Sequence, residues 1–235
     1  MAVQTIPGFY EPVSALTHLL GAGVFLALGV PLVRRFRATP GIAVALGVYV
    51  FALVFMLSMS GVYHTLDEES LGGRVFHRLD KAAIFVMIAG TFTPVHAMLF
   101  RGHVRWAGLA AKWAMAITGL TLMTVFFDRM PRGLGTTLYI TLGWIAGLTM
   151  IAAWRRDGFR TVRGFVIGGV AYSVGAVMMG IGWPTVWPGV IDSHEVWHVA
   201  VLLGMTLHWR FIVGLAERTV AAMTAGPAAA AATGG

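Results

Sequence analysis

GIAVALGVYVFALVFMLSMSGVYH, residues 41–64, carries no charged side chain before it closes on a histidine. A helix crossing a bilayer needs roughly 20 mostly apolar residues, and this stretch supplies them in one run. It is entered through RRFRATPG (34–41) and left through an acidic and then basic segment that includes RVFHRLDK (74–81). Reading outward finds six more such runs. The seven are Val13–Val33, Gly41–His64, Asp80–Phe100, Val104–Phe127, Gly133–Trp154, Gly164–Trp183 and Ser193–Leu215. RGHVR, DRMPRG and WRRDGFRTVR separate others, and arginines in short loops mark membrane boundaries. Trp183 and Trp187, in a Pro-rich separator, suit an interfacial belt. The expected fold is an all-α integral membrane protein, a bundle of seven transmembrane helices.

Composition agrees. Of 235 residues, 57% are hydrophobic and 11% charged, against about a quarter charged in soluble domains. The net charge of +7 is spread in loops between apolar runs, which excludes the basic patch of a nucleic-acid binder. The expected location is the cell (plasma or inner) membrane, multi-pass, with membrane lipids as partners; oligomeric state is not legible. Cysteine is absent, so a transition metal would fall to His, Asp or Glu. Residues 1–12 lack Lys and Arg, so the first run reads as a retained helix rather than a signal peptide. The expected organisation is an N-terminal segment (1–12), one seven-helix domain (13–218) and a disordered Ala/Gly tail (219–235). Gly168, Gly169, Ala171, Ser173 and Gly175 offer close helix contact in lipid. Lys112 and Arg210 are expected to snorkel to an interface.

Seven spans make the helix ends alternate between two faces. On the N-terminal side, face N, the second helix ends with His64, the third begins with Asp80 in its first turn, and the seventh begins with His194 and His198. His194 and His198 are one turn apart on one helix face, as are Ser60 and His64. A catalytic zinc has three protein ligands and an open position; His64, His194 and His198 are the candidate ligands. Asp80 would hold the zinc-bound water or orient a ligand, unless it is only a helix N-cap. His208 lies about 15 Å beyond His198 by helical rise and reads as a core contact. His18, with Glu11 and Thr17, is a candidate to surround the ligands. His77, His96 and His103 receive no role.

Four segments resemble the hemolysin III branch of the PAQR family (progestin and adipoQ receptors), within the wider group that includes the alkaline ceramidases. They are EPVSALTH (11–18), SGVYH (60–64), LDKAAIFVMIAGTFTP (79–94) and HEVWH (194–198), with GGVAYSVG (168–175) also similar. The resemblance implies a seven-helix bundle with one zinc near a membrane surface, held by His64, His194 and His198, with Asp80 on its water and Ser60 beside it. Ser14 stands where the family usually has Asn, and Lys81 where an aromatic residue or His is common.

The expected function is zinc-dependent hydrolysis of a lipid amide or ester, with Asp80 as general base and Ser60 at the oxyanion. HEVWH also fits H-E-x-x-H, in which Glu195 would be a protease base. The non-enzymatic alternatives are a receptor or membrane-homeostasis protein with structural zinc, and a cytolytic pore. Orientation is contested. Eleven Lys/Arg residues flank the face opposite N against five on face N, which puts face N outside; the family resemblance puts it in the cytoplasm.

Overall fold

The computed structural model describes residues 9–131 and 133–231, with backbone alone for the last six. Most of the 1–12 segment, Arg132 and residues 232–235 lie outside the described residues. The order is α1 (Pro12–Arg35), α2 (Pro40–Tyr63), α3 (Leu71–Leu99), α4 (Gly102–Thr124), a 3₁₀ turn at Phe127–Arg129, α5 (Leu134–Gly147), α6 (Met150–Asp157), α7 (Phe159–Ile181) and α8 (Ser193–Ala231). Local chemistry sets these boundaries. Proline opens α1 and α2, where its missing N–H has no helical partner to lose. Gly158 and Gly182 take positive φ where α6 ends and α7 stops, a conformation that favours glycine.

The chain is an all-α membrane-spanning bundle. Six segments are long and apolar enough to cross: α1, α2, α3, Leu134–Asp157, α7 and α8. The fourth expected run, α4, falls outside that set; it carries Lys112 at mid-helix. The Lys112 Nζ lies 5.6 Å from the Phe92 ring centroid, within range of a cation–π contact. The fifth expected run is broken near Leu148 into α5 and α6. The eighth helix continues to Ala231, into the stretch expected to be an irregular tail.

The third helix differs most from expectation. RVFHRLDK, read as a loop, is helical, and α3 starts at Leu71. Ser70 is its N-cap, accepting a hydrogen bond from the Gly73 N–H at 2.8 Å, the usual service of a serine there. Asp80 is therefore no cap. It sits about two and a half turns inside α3 and is 6% exposed. Polarity misled because a helix can begin with charged turns: Arg74 is exposed there, and Arg78 is held by Asp128 at 2.7 Å.

Helices α1 to α4 pack in chain order, α7 and α8 form a hairpin, and α8 closes on α1 and α3. α3 is central, touching α2, α4, α5 and α8. Leu46, Tyr49, Leu53 and Leu57 of α2 are fully buried. Val170, Val174 and Val177 of α7 point outward, as lipid-facing residues should. The glycines of α7 divide. A Cβ on Gly168 would meet His208 and the Gly204 carbonyl, and one on Gly175 would meet Ala200 and Trp197. Gly169 faces open space, so it lines a cavity instead of a helix contact.

Candidate metal centre

His64 caps the C-terminus of α2, and its N–H bonds the Ser60 carbonyl at 3.2 Å. Its own carbonyl, one of those a helix end leaves unpaired, accepts the Glu11 N–H at 2.9 Å. The Glu11 carboxylate returns to pair with His64 Nδ1. The start of α1 and the end of α2 thus clamp each other at this histidine. Burial pushes the Glu11 carboxyl up, but the hydrogen bond and charge of His64 outweigh it and hold the group below its ordinary value.

His194 and His198 come from the first turns of α8. Glu195 fixes that start: its Oε2 accepts the Asp192 N–H at 2.9 Å, the reach-back half of a capping box. Its Oε1 accepts the Ser14 hydroxyl at 2.7 Å. Ser14 is fully buried and ties α1 to α8. Span counting alone gave no sign of this bond.

One ligand atom from each of His64, His194 and His198 lies within 4.8 Å of the other two. His64 Nε2 and His194 Nε2 stand 3.4 Å apart. Two nitrogens at about 2.0–2.1 Å from a tetrahedral zinc would be about 3.3–3.4 Å apart, so this pair fits that ion. His198 Nδ1 is buried without a protein partner, an orphan that invites a ligand. The three imidazoles form a cluster that could hold a metal ion, and zinc suits a donor set of nitrogens. Asp80 is not among the residues whose donor atoms meet at this point.

The surrounding candidates are present. The His18 ring stacks on that of His198 with centroids 3.8 Å apart, and both its nitrogens are buried without partners. Thr17 is turned away, donating to the Val13 and Ser14 carbonyls. Asp80 pairs with Lys81 Nζ at 3.1 Å. His18, Ser60, Asp80, Lys81, His194 and His198 all line one cavity of about 560 Å³, within the usual range for small-molecule sites. Its wall is mainly apolar, with Met87, Ile88 and Phe92 of α3, and it extends toward α5 and α7. His208 reaches the same cavity but bonds the Phe165 carbonyl at 3.0 Å and takes no part in the cluster, as its distance along α8 implied.

His77 was missed. It lines the cavity, stacked on Tyr63 with centroids 4.9 Å apart. Its spacing of three residues from Asp80 would have placed it on that helical face, had α3 been extended to Leu71.

A helical membrane bundle with a three-histidine cluster at the edge of an apolar cavity, lined by His194 and His198, defines a class of integral membrane protein with a metal-competent centre. This chain belongs to the Haemolysin-III related family, whose pattern matches residues 9–209. It is 29% identical over 204 residues to Hemolysin-3 of Bacillus cereus, covering 84% of this chain and 87% of that one. It is 30% identical over 178 residues to the Heptahelical transmembrane protein ADIPOR2 of Oryza sativa subsp. japonica, covering 69% and 77%. With the Adiponectin receptor protein of Drosophila melanogaster it shares 24% over 223 residues, 85% of this chain and 49% of the relative.

Proposed function

We propose that this protein is a zinc-dependent hydrolase of a lipid amide or ester. The observation that carries the reading is the convergence of His64, His194 and His198, two of which, His194 and His198, line an apolar cavity that also presents Asp80 and Ser60. The reading includes a seventh span, α4; the word heptahelical in the rice relative's name supports it, and Lys112, over Phe92, is the one charged side chain in its middle.

His64, His194 and His198 would hold the ion, oriented by Glu11 on His64 and by the Glu195 cap of α8. When bound, zinc supplies Lewis acidity toward a carbonyl oxygen and activates water as a nucleophile. The Asp80 carboxylate accepts the proton as general base, its charge balanced by Lys81. The Ser60 hydroxyl donates to the oxygen on which charge develops. The apolar wall takes the acyl chain and keeps bulk water away.

A structural zinc with Asp80 as fourth ligand is less well supported, because Asp80 lies outside the converging set. A protease base at Glu195 is also disfavoured, since both its oxygens are engaged by Ser14 and Asp192. The name Hemolysin-3 raises a cytolytic pore, but the mainly apolar cavity lining does not fit a water-filled channel. The test is turnover of lipid amides and esters by purified, zinc-loaded protein in bilayers. Equal turnover by wild type and Asp80→Asn would overturn the mechanism.

A further inference from the structure

The charges of this protein are segregated along the bundle axis. Cross-links within the fold fix which ends lie together. Glu11 meets His64 and Ser14 meets Glu195 at the metal end, and Arg78 pairs with Asp128 there at 2.7 Å. Arg35 pairs with Glu217 at the other end. Of the 17 Lys and Arg residues, eleven lie at or beyond that second end, five belong to the metal end (Arg132 by its place in the sequence), and Lys112 is inside α4. Of the 10 acidic residues, eight belong to the metal end, and only Asp157 and Glu217 to the other. The metal end is thus net acidic and the other strongly cationic.

Pairing sharpens the contrast. At the metal end Lys81 and Arg78 are neutralised by Asp80 and Asp128. At the cationic end only Arg35 and Arg156 form salt bridges among the described residues. Exposed arginines such as Arg37, Arg101, Arg155, Arg160 and Arg163 have no acidic partner there. Their complement is a surface of negative charge at a fixed depth. The headgroups of a cytoplasmic leaflet supply that, and short loops rich in Lys and Arg are retained on that side.

We propose that the arginine-rich end of the bundle docks on anionic phospholipid headgroups of the cytoplasmic leaflet, so that the three-histidine cluster opens toward the non-cytoplasmic side. This is opposite to the orientation the family resemblance implies. It does not depend on whether the centre performs hydrolysis. If that reading also holds, the substrate is drawn from the outer leaflet.

The absence of native cysteine allows a direct test. Glu69→Cys reports the metal end, and Arg37→Cys and Arg160→Cys report the other, each removing one of the eleven arginines there; all three positions are exposed and outside the three-histidine cluster and its cavity. In intact cells a membrane-impermeant maleimide is expected to label Glu69→Cys alone, and all three after permeabilisation, which also verifies folding and access. Labelling of Arg37→Cys or Arg160→Cys in intact cells, or of Glu69→Cys only after permeabilisation, overturns the orientation. In a second arm, wild type is melted in phosphatidylcholine vesicles with and without phosphatidylglycerol. The expected result is a higher melting temperature with the anionic lipid, lost at high salt and reduced when Arg155, Arg156, Arg160 and Arg163 are together replaced by Gln. Equal melting in the two vesicle types overturns the lipid docking.

Discussion

The imidazole of His18 lies parallel to that of His198, its centroid 3.8 Å away and its plane tilted by only 6°. A flat ring on α1 therefore restrains a candidate metal ligand on α8. Because neither His18 nitrogen has a partner, the ring acts on His198 through its face. His18→Phe is expected to keep metal affinity near wild type, whereas His18→Ala lowers it roughly 10-fold, the lower end for groups that orient ligands. Competition titration of zinc against a chelator reads the difference.

Glu11 acts on His64 through a bond and not a stack. Glu11→Gln is expected to weaken zinc binding about 10- to 100-fold, because a neutral amide oxygen is a weaker acceptor than the carboxylate for the Nδ1–H of a metal-binding imidazole. Elemental analysis of purified wild type beside Glu11→Gln and His194→Ala checks the order: full, reduced and least.

Asp80 and Glu195 separate two chemistries. Asp80→Asn is expected to reduce turnover by about 10²–10⁴-fold, the range for a general base, with zinc content retained. Glu195→Gln is expected to spare turnover, since an amide oxygen still accepts from Ser14. The reverse pattern, measured by mass spectrometry of released fatty acid, would revive the H-E-x-x-H reading.

Ser14→Ala removes a buried hydroxyl from a charged acceptor. Losses of this kind come to about 1.5–3 kcal/mol, and α1 should loosen from α8. A lower unfolding temperature in detergent is expected, and Ser14→Asn, which restores a donor, should recover part of it.

Neighbouring glycines of α7 should behave oppositely. A Cβ on Gly168 would stand 2.6 Å from His208 Cδ2 and 3.1 Å from the Gly204 carbonyl oxygen. Gly168→Ala is expected to destabilise by about 1–3 kcal/mol, as overpacking does. Gly169→Ala meets nothing within 4 Å and should be neutral or slightly stabilising, because it adds helix propensity. Thermal melts of the two variants decide it.

Much of this was legible because membrane insertion constrains sequence strongly. The apolar runs marked α1, α2 and α7 closely, and alternation of helix ends brought His64 to the depth of His194 and His198. It failed where polarity and helicity part company. The basic start of α3 is helix, since an interfacial turn can be polar and still hydrogen-bonded, and so Asp80 moved from helix start to buried interior and His77 joined the cavity. The break between α5 and α6 left no proline to announce it.

By itself, then, the sequence determined that the chain is a helical membrane protein, which residues were candidates for the metal, and that His208 was too far along α8 to join them. Those follow from hydrophobic length and helical rise, which are local quantities. Only the tertiary structure decided that Glu11 clamps His64, that Ser14 holds Glu195, that His18 stacks on His198, and that α5 stands far enough from α3 and α7 to leave a cavity beside Asp80. These depend on how helices rotate and tilt against one another, and apolar length carries no information about rotation.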